Sequence, residues 1–346
     1  MFELTIAIPT YNSEKFLDKC IASFIYPDGT IDSRLQLIIV NDGSKDNTLA
    51  VASRWAEKYP LNISVIDKEN AGHGSGINAG ADATKGRYYK VVDSDDWVVT
   101  DNLCMILDAL EETDADVAVT GYHTVNMASG VTLPYGTGRF TPEYEGSLEL
   151  TLEEFMQVYE DVPAAQSFHG LMYNTGFYRG TGIRMSEKVF FEDQEYAILP
   201  FAHVGTMRII PYFFYEYRIG SAGQSVNFAN QAVREGDFLK VVRKMIAYHV
   251  SRMPLEKPQN DFIVWRLSNA VVSYYATVLV KAKERSEEKA ALLRSFLIDC
   301  EPEIAKRTEG KYKLLRRLGR LPGLAGIYGW LFNSRFFAAF KKTWVK

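Results

Sequence analysis

The sequence predicts an α/β protein: an open, mostly parallel β-sheet with helices on both faces, followed by a helical C-terminal region. Three observations predict it. Over the first 120 residues, short apolar runs alternate with segments of helical period. Four of those runs end in polar or glycine-rich sequence, as strands of an open sheet do at the rim where ligands bind. Beyond about residue 230 the pattern is helical throughout. We divide the chain into a domain over 1–225, with halves 1–120 and 121–225, and a helical region over 226–346.

The elements follow in order. Leu4–Pro9 is a short apolar strand ending in Pro-Thr-Tyr-Asn, and Phe16, Leu17, Cys20, Ile21 and Phe24 then recur at helical spacing. Leu35–Val40 is nearly continuous in apolar residues, the mark of a parallel strand covered on both faces. It ends at Asn41-Asp42-Gly43-Ser44, and a helix follows with Leu49, Ala52, Trp55 and Ala56 on one face. Ile63–Ile66 is a third strand. The glycine-rich stretch Asn70–Gly80 leads from it through a small helix to Gly86. Tyr88–Val92 is a fourth strand, ending in Asp93-Ser94-Asp95-Asp96; Thr100 is placed to cap the helix carrying Leu103, Ile106, Leu107 and Leu110. Val117–Thr120 is a fifth strand.

From residue 121 the pattern changes. Residues 126–148 read as strands and loops, Thr151–Tyr159 as a helix with a Thr151–Glu154 capping box, and Gln194–His203 as another helix. Ile209–Arg218 reads as an aromatic-rich strand, followed by a turn or flexible loop at Gly220–Gln224. Four helices fill roughly 231–251, 260–281, 284–298 and 302–318.

Composition narrows the function. Apolar residues make up 47% and charged residues 24%, enough for a sizeable core and against global disorder. Residues 1–303 hold 28 basic and 42 acidic side chains, so the body is a poor partner for nucleic acid. Residues 304–346 hold 11 basic and 1 acidic. Cys20, Cys104 and Cys300 have neither metal-ligand spacing nor a disulfide framework, which suits a reducing compartment; Cys20 and Cys104 fall on apolar helical faces and are expected in the core. With no basic-then-apolar leader and no run of 18 apolar residues, we expect a cytoplasmic body without a spanning helix.

Three acids in four residues at one strand end, Asp93-Ser94-Asp95-Asp96, raise one another's pKa unless a cation relieves them. Hard divalent ions take carboxylate oxygens, so Asp93, Asp95 and Asp96 read as ligands for Mn²⁺ or Mg²⁺, against the plainer reading of caps and turns. Such an ion would neutralise a diphosphate leaving group. No phosphate loop of the GxxxxGK[ST] type is present. Gly72-His73-Gly74-Ser75-Gly76 follows the third strand, whereas a dinucleotide oxidoreductase carries its glycines after the first. Asp93-x-Asp95 likewise follows the fourth strand, not the first as in an aspartate-nucleophile phosphatase.

Ile8-Pro9-Thr10-Tyr11-Asn12, Val40–Thr48, Asn70-x-Gly72 and Val92-Asp93-Ser94-Asp95-Asp96, in this order, resemble the family 2 glycosyltransferases of the GT-A fold, a Rossmann-like sheet. The resemblance is strong over 1–120 and looser over 165–225. It implies an inverting transferase that takes a sugar from a nucleotide-diphosphate donor, most often UDP-linked, with a divalent metal. By the same resemblance Pro9, Tyr11 and Asn12 line the nucleotide pocket, and Asp42 contacts the base, typically uracil. Asn70, Gly72 and Asn78 lie near the nucleotide or ribose. Asp93, Ser94 and Asp95 hold ribose and metal-bound diphosphate, with Asp96 a variant ligand. Glu192-Asp193 matches the acidic pair whose Asp takes the acceptor proton, Glu192 being the runner-up and helix-start acids the plain alternative. Arg218 approaches the diphosphate, or is a salt-bridged strand arginine. His73 touches donor phosphate or acceptor, and His169 lines the acceptor cleft, or both are ordinary histidines. The acceptor is expected to be a saccharide or a lipid-linked, polysaccharide or teichoic-acid type molecule. The basic, aromatic segment 312–346 either lies on an anionic membrane surface, which would make the enzyme peripheral on the inner face of the cell membrane, or packs on the acidic body. A nucleotidyltransferase and a non-catalytic sugar-nucleotide-binding protein are the rival classes.

Overall fold

Alternating buried strands and amphipathic helices build the N-terminal unit, Met1–Ser221; the computed structural model describes residues 1–220, 233–282 and 286–320. Strands β1 (Leu4–Thr10) and β2 (Leu35–Asp42) are buried at every position, as central strands covered on both faces must be. Helix α1 (Leu17–Ala22) follows β1, and α2 (Thr48–Lys58) links β2 to β3 (Ile63–Lys68). Helix α3 (His73–Ala83) leads to β4 (Tyr88–Val91). β1 pairs in parallel with β2 and β4, and β2 with β3. The glycine-rich stretch is shorter as a loop than the sequence suggests, because α3 already begins at His73. Its glycines serve close packing: a Cβ on Gly76 would stand 2.7 Å from the Cβ of Pro9 on β1.

The second half adds β5 (Trp97–Val98), α4 (Leu103–Glu111), β6 (Val117–Asn126), β7 (Thr132–Tyr135) and β8 (Glu149–Thr151). Then come α5 (Leu152–Val158), β9 (Leu171–Asn174), α6 (Thr175–Gly180), α7 (Asp193–Ile198) and β10 (Thr206–Ile219). One sheet runs β3-β2-β1-β4-β9-β6-β10-β5, with β7 beside β6 and β8 beside β10. The long strands pair in parallel; antiparallel pairing is confined to contacts of the short β5, β7, β8 and β9. Two register shifts in β10, around Phe213, accompany its pairing with β5 and place Tyr215 opposite Val98, beside the acidic end of β4.

Local signals explain most boundaries. Thr151 and Glu154 form the reciprocal capping box of α5. Thr100 does not cap α4: it opens a 3-10 turn, Thr100–Asn102, and its hydroxyl donates to the Ser23 carbonyl at 2.7 Å. α7 ends at Ile198, where Pro200 turns the chain into a 3-10 segment, Leu199–Ala202. Cys20 is buried, but Cys104 is exposed, on the side of α4 that meets Arg34 and Asp108.

The second unit, Ala222–Lys346, contains α8 (Glu235–Arg252), α9 (Lys257–Ala276), α10 (Glu287–Cys300) and α11 (Pro302–Gly319) among its described residues. α9 continues as a π turn, Thr277–Lys281. The stretch Lys257–Val280 is long and apolar enough by composition to cross a membrane, but 72% of its most apolar window is buried within the protein, as befits a core helix. Part of the basic face of α11 is spent within the unit, since Arg316 and Arg320 both pair with Glu287 at 2.6 Å. The rest of the basic tail, 321–346, and the loop residues 221–225 lie outside the described residues.

Candidate active site

The carboxyl ends of β1, β2 and β4 meet through short side-chain bonds. Ser13 and Ser94 share a 2.7 Å hydroxyl contact, and Asn12 joins the β1 and β2 ends by donating its amide to Ser44 Oγ and accepting from the Lys45 amide. Asn12 holds φ +52°, a conformation Asn tolerates better than most residues. It lines an open groove with Glu14, Lys15, Phe16, Lys45 and Asp46, while Tyr11 stands exposed and Pro9 is buried behind α3.

Asp42 organises the loop that follows β3. Its carboxylate accepts from Lys68 Nζ at 2.6 Å and from the amides of Ala71 and Gly72 at 2.9 and 2.7 Å, and its carbonyl takes the Asn70 side chain at 2.8 Å. Burial pushes this carboxyl up, but Lys68 and the two amides outweigh it and hold the pKa below the usual carboxylate range. Asn70 and Gly72 are thus fasteners of the loop. Asn78 is turned to a similar end: it is buried, bonding the Met185 backbone in both directions at 3.0 and 2.8 Å and reaching Glu187, so it braces α3 against residues 185–187. Neither this bracing nor that of Asn70 was legible as such in the sequence.

The acidic strand end is shared out among distinct partners. Asp96 is almost fully buried and accepts from Tyr215 Oη and the Arg218 amide, both at 2.7 Å; burial and the neighbouring Asp93 and Asp95 push its pKa well up. Asp95 takes the Arg218 guanidinium at 2.5 Å, and that guanidinium lies 4.0 Å from the Phe16 ring centre. Burial and Asp93 still leave the Asp95 pKa raised. Asp93 faces His73 Nε2 at 2.9 Å, while His73 Nδ1 lies 2.7 Å from Glu192 Oε1. Burial opposes a charge on the ring, but the two carboxylates outweigh it and raise the His73 pKa well above its ordinary value. His73 is therefore bound to the acids of the rim.

Glu192 is buried, and its Oε2 has no hydrogen-bond partner. Asp193, the first residue of α7, is half-buried. Burial and the adjacent Glu192 raise its pKa to about 7, against a smaller opposing pull from His73. That value suits a group that must gain a proton during reaction near neutral pH.

His169 lies closer to the acids than its apolar sequence context suggests. One ligand atom each from Asp93, Asp96 and His169 falls within 4.8 Å of the others. Its Nε2 is buried without a partner, and burial, opposed by Asp93 and helped by Lys90, pushes its pKa down to about 3, so the ring is neutral. The residue that places it was missed in the sequence. Lys90, fully buried on β4, donates to the carbonyls of Phe168, His169 and Leu171 at 3.4, 2.6 and 3.1 Å. A charged residue inside the run Tyr88–Val92 was the available signal.

Known proteins share this architecture. The chain is 33% identical over 129 residues to glycosyltransferase GlyA of Streptococcus pneumoniae, covering 37% of this chain and 18% of that protein. It is 24% identical over 309 residues to the poly(ribitol-phosphate) beta-N-acetylglucosaminyltransferase TarS of Staphylococcus aureus, covering 88% of this chain and 50% of TarS. The chain thus spans half or less of the length of these relatives. The crystal structure of TarS 1-349 superposes with a TM-score of 0.66 at 20% identity, covering 92% of this chain and 90% of that one, so the fold is shared. A second TarS 1-349 structure, in complex with UDP-GlcNAc, matches with a TM-score of 0.59 at 18% identity over 92% of each chain. The profile of the family described as "Glycosyl transferase family 2" matches residues 5–178, half of the chain: the protein belongs to glycosyl transferase family 2.

Proposed function

We propose that the protein is an inverting sugar transferase that uses a nucleotide-diphosphate sugar, UDP-linked by preference, and attaches the sugar to a hydroxyl of a saccharide, lipid-linked or polyol-phosphate acceptor. The observation that carries this reading is the acid pair. Asp193 opens α7 with a pKa of about 7 and stands beside Glu192, which His73 ties to the strand-end Asp93. One group of carboxylates thus serves donor and acceptor sides together. Asp193 takes the proton of the attacking acceptor hydroxyl as its oxygen approaches the anomeric carbon from the face opposite the leaving diphosphate.

The residues present fit a divalent cation. Asp93, Asp96 and the unpartnered His169 Nε2, whose ligand atoms lie within 4.8 Å of one another, would hold it, with Asp95 of the Asp-x-Asp pattern as a further carboxylate, a mixed carboxylate–imidazole set that suits Mn²⁺ better than Mg²⁺. When bound, the ion neutralises the diphosphate leaving group. Arg218, which pairs with Asp95, would turn to a phosphate oxygen once released. The uridine preference rests on the family resemblance at the β2 end, where the Asp42 carboxylate holds Lys68 and the amides of Ala71 and Gly72, and the TarS complex with UDP-GlcNAc supports trying that donor first. A polyol-phosphate acceptor is suggested by the activity for which TarS is named. Of the segment 312–346, the part beyond α11, residues 321–346, is proposed to rest on an anionic membrane surface at the inner face of the cell membrane, since Arg316 and Arg320 of α11 pair with Glu287.

The test is a thermal-shift panel of UDP-, GDP- and dTDP-sugars with and without Mn²⁺, followed by transfer assays on poly(ribitol phosphate). Stabilisation by UDP-GlcNAc that requires Mn²⁺ supports the reading through binding to the native state. Equal protection by GDP-sugars removes the uridine preference, and no protection by any donor removes the nucleotide-sugar site.

A further inference from the structure

The base loop is laid on the start of α3. In residues 186–192, Lys188 and Phe191 hold φ of +55° and +75°. Such conformations cost on the order of 1–3 kcal/mol each in non-glycine residues and persist only where the surroundings fix them. Three contacts fix them. The Lys188 amide donates to the Ala71 carbonyl at 2.8 Å, Asn78 holds Met185 from both sides, and Ser186 is pinned to Glu195 through its amide at 2.8 Å. Gly74 lets the helix start lie against this loop, since a Cβ there would stand 2.1 Å from the Ser186 carbonyl oxygen.

Those contacts hold the backbone. His73 does something different: it reaches a side chain of the acid pair. Its two ring nitrogens lie 2.7 Å from Glu192 Oε1 and 2.9 Å from Asp93 Oδ1, so one ring spans the loop and the β4 end. Glu192 is 4% exposed and keeps its other oxygen unpartnered, so half of a buried carboxylate is held by His73 while half stays open. A carboxylate serving only as a structural anchor would be satisfied on both oxygens.

We propose that His73 is a positioning residue, which fixes the acid pair against the donor-side carboxylate and acts on sugar transfer through Glu192. This rests on the reading of Glu192-Asp193 as the base-bearing pair of a sugar transferase.

His73→Ala in the full chain tests it by three readouts. These are UDP affinity with Mn²⁺ by calorimetry, transfer of GlcNAc from UDP-GlcNAc to poly(ribitol phosphate) with kcat separated from KM, and amide hydrogen exchange over 186–193. Expected are a kcat lower by roughly 10- to 100-fold, the scale of a misplaced reacting group, with the KM for UDP-GlcNAc within about threefold, and faster exchange in 186–193. The ring is 32% exposed, so added imidazole should enter the space it leaves and restore part of kcat, which a merely structural loss would not allow. His73→Ala with Glu192→Gln should be no slower than the slower single variant. Losses that multiply, or parental exchange and turnover in His73→Ala, overturn the proposal. His73→Asn is the substitute if alanine fails to fold. If neither parent nor variant transfers GlcNAc, the substrate reading fails. Exchange over 186–193 then decides the proposal by itself, faster in the variant supporting it and unchanged overturning it.

Discussion

Asp193→Asn should make the protein more stable above neutral pH while stopping sugar transfer. The native carboxyl has a pKa of about 7, raised first by burial and then by Glu192. In the unfolded chain it returns to about 3.9. A folded pKa raised above the unfolded one means that the native state binds the extra proton between these values. The stability this gives is full below the unfolded pKa and is lost as pH rises through 7. At 1.36 kcal/mol per unit, the loss approaches about 4 kcal/mol, and about 2–4 after allowing for the partial solvent contact of the side chain. Asparagine keeps the shape of the protonated acid and carries no charge at any pH. The variant should therefore match the parent near pH 4 and exceed it by about 2–4 kcal/mol at pH 8.5. Urea unfolding at the two pH values measures the difference. The same substitution should lower transfer by at least about 10²-fold, leave UDP affinity within a few-fold, and remove the acidic limb near pH 7 from the parental rate profile. Equal stability of parent and variant at pH 8.5 would refute the raised pKa. Near-parental transfer would refute the role of base, and with Glu192→Gln inactive it would move that role to Glu192.

Other outcomes follow from neighbouring contacts. Arg218→Met frees Asp95 of its 2.5 Å partner, so Mn²⁺ alone, measured by calorimetry, should bind several-fold more tightly, while UDP with Mn²⁺ should bind more weakly. Gly74→Ala forces a methyl group against the Ser186 carbonyl and should cost about 1–3 kcal/mol in urea unfolding, with loss of turnover as the base loop shifts. Removal of residues 321–346 should abolish sedimentation with vesicles rich in anionic lipid and leave UDP affinity unchanged; retained sedimentation would place the membrane contact elsewhere.

The strands and their order of appearance were legible because apolar runs and turn residues report on local geometry. β1, β2 and β4 begin where the periodicity says; β1 and β2 end in the polar rim residues Thr10 and Asp42, and β4 ends at Val91, two residues before Asp93. What escaped the reading depends on tertiary contact. The glycines around Gly74 read as a glycine-rich stretch before a small helix, and their packing role shows only where α3 lies on Pro9 and Ser186. Thr100 has the chemistry of a cap, but its hydroxyl bonds Ser23. The acids at 93–96 stood out by spacing and those at 192–193 by the family resemblance, yet their division of labour did not. That Asp96 is sealed by Tyr215 while Asp95 faces Arg218 depends on the path of β10, shifted in register near Phe213. Lys90 and His169 were separated by a long stretch of sequence, and only β9, inserted antiparallel beside β4, brings the turn before it onto that lysine.

The central claim is that the strand-end carboxylates form a metal-dependent nucleotide-sugar site. Calorimetric titration of UDP into the parent and into Asp95→Asn, with and without Mn²⁺, tests it most directly. UDP binding should require Mn²⁺ in the parent and be lost in Asp95→Asn, with the variant folded as judged by its urea transition. UDP affinity that is the same in both proteins, or indifferent to Mn²⁺, would contradict it.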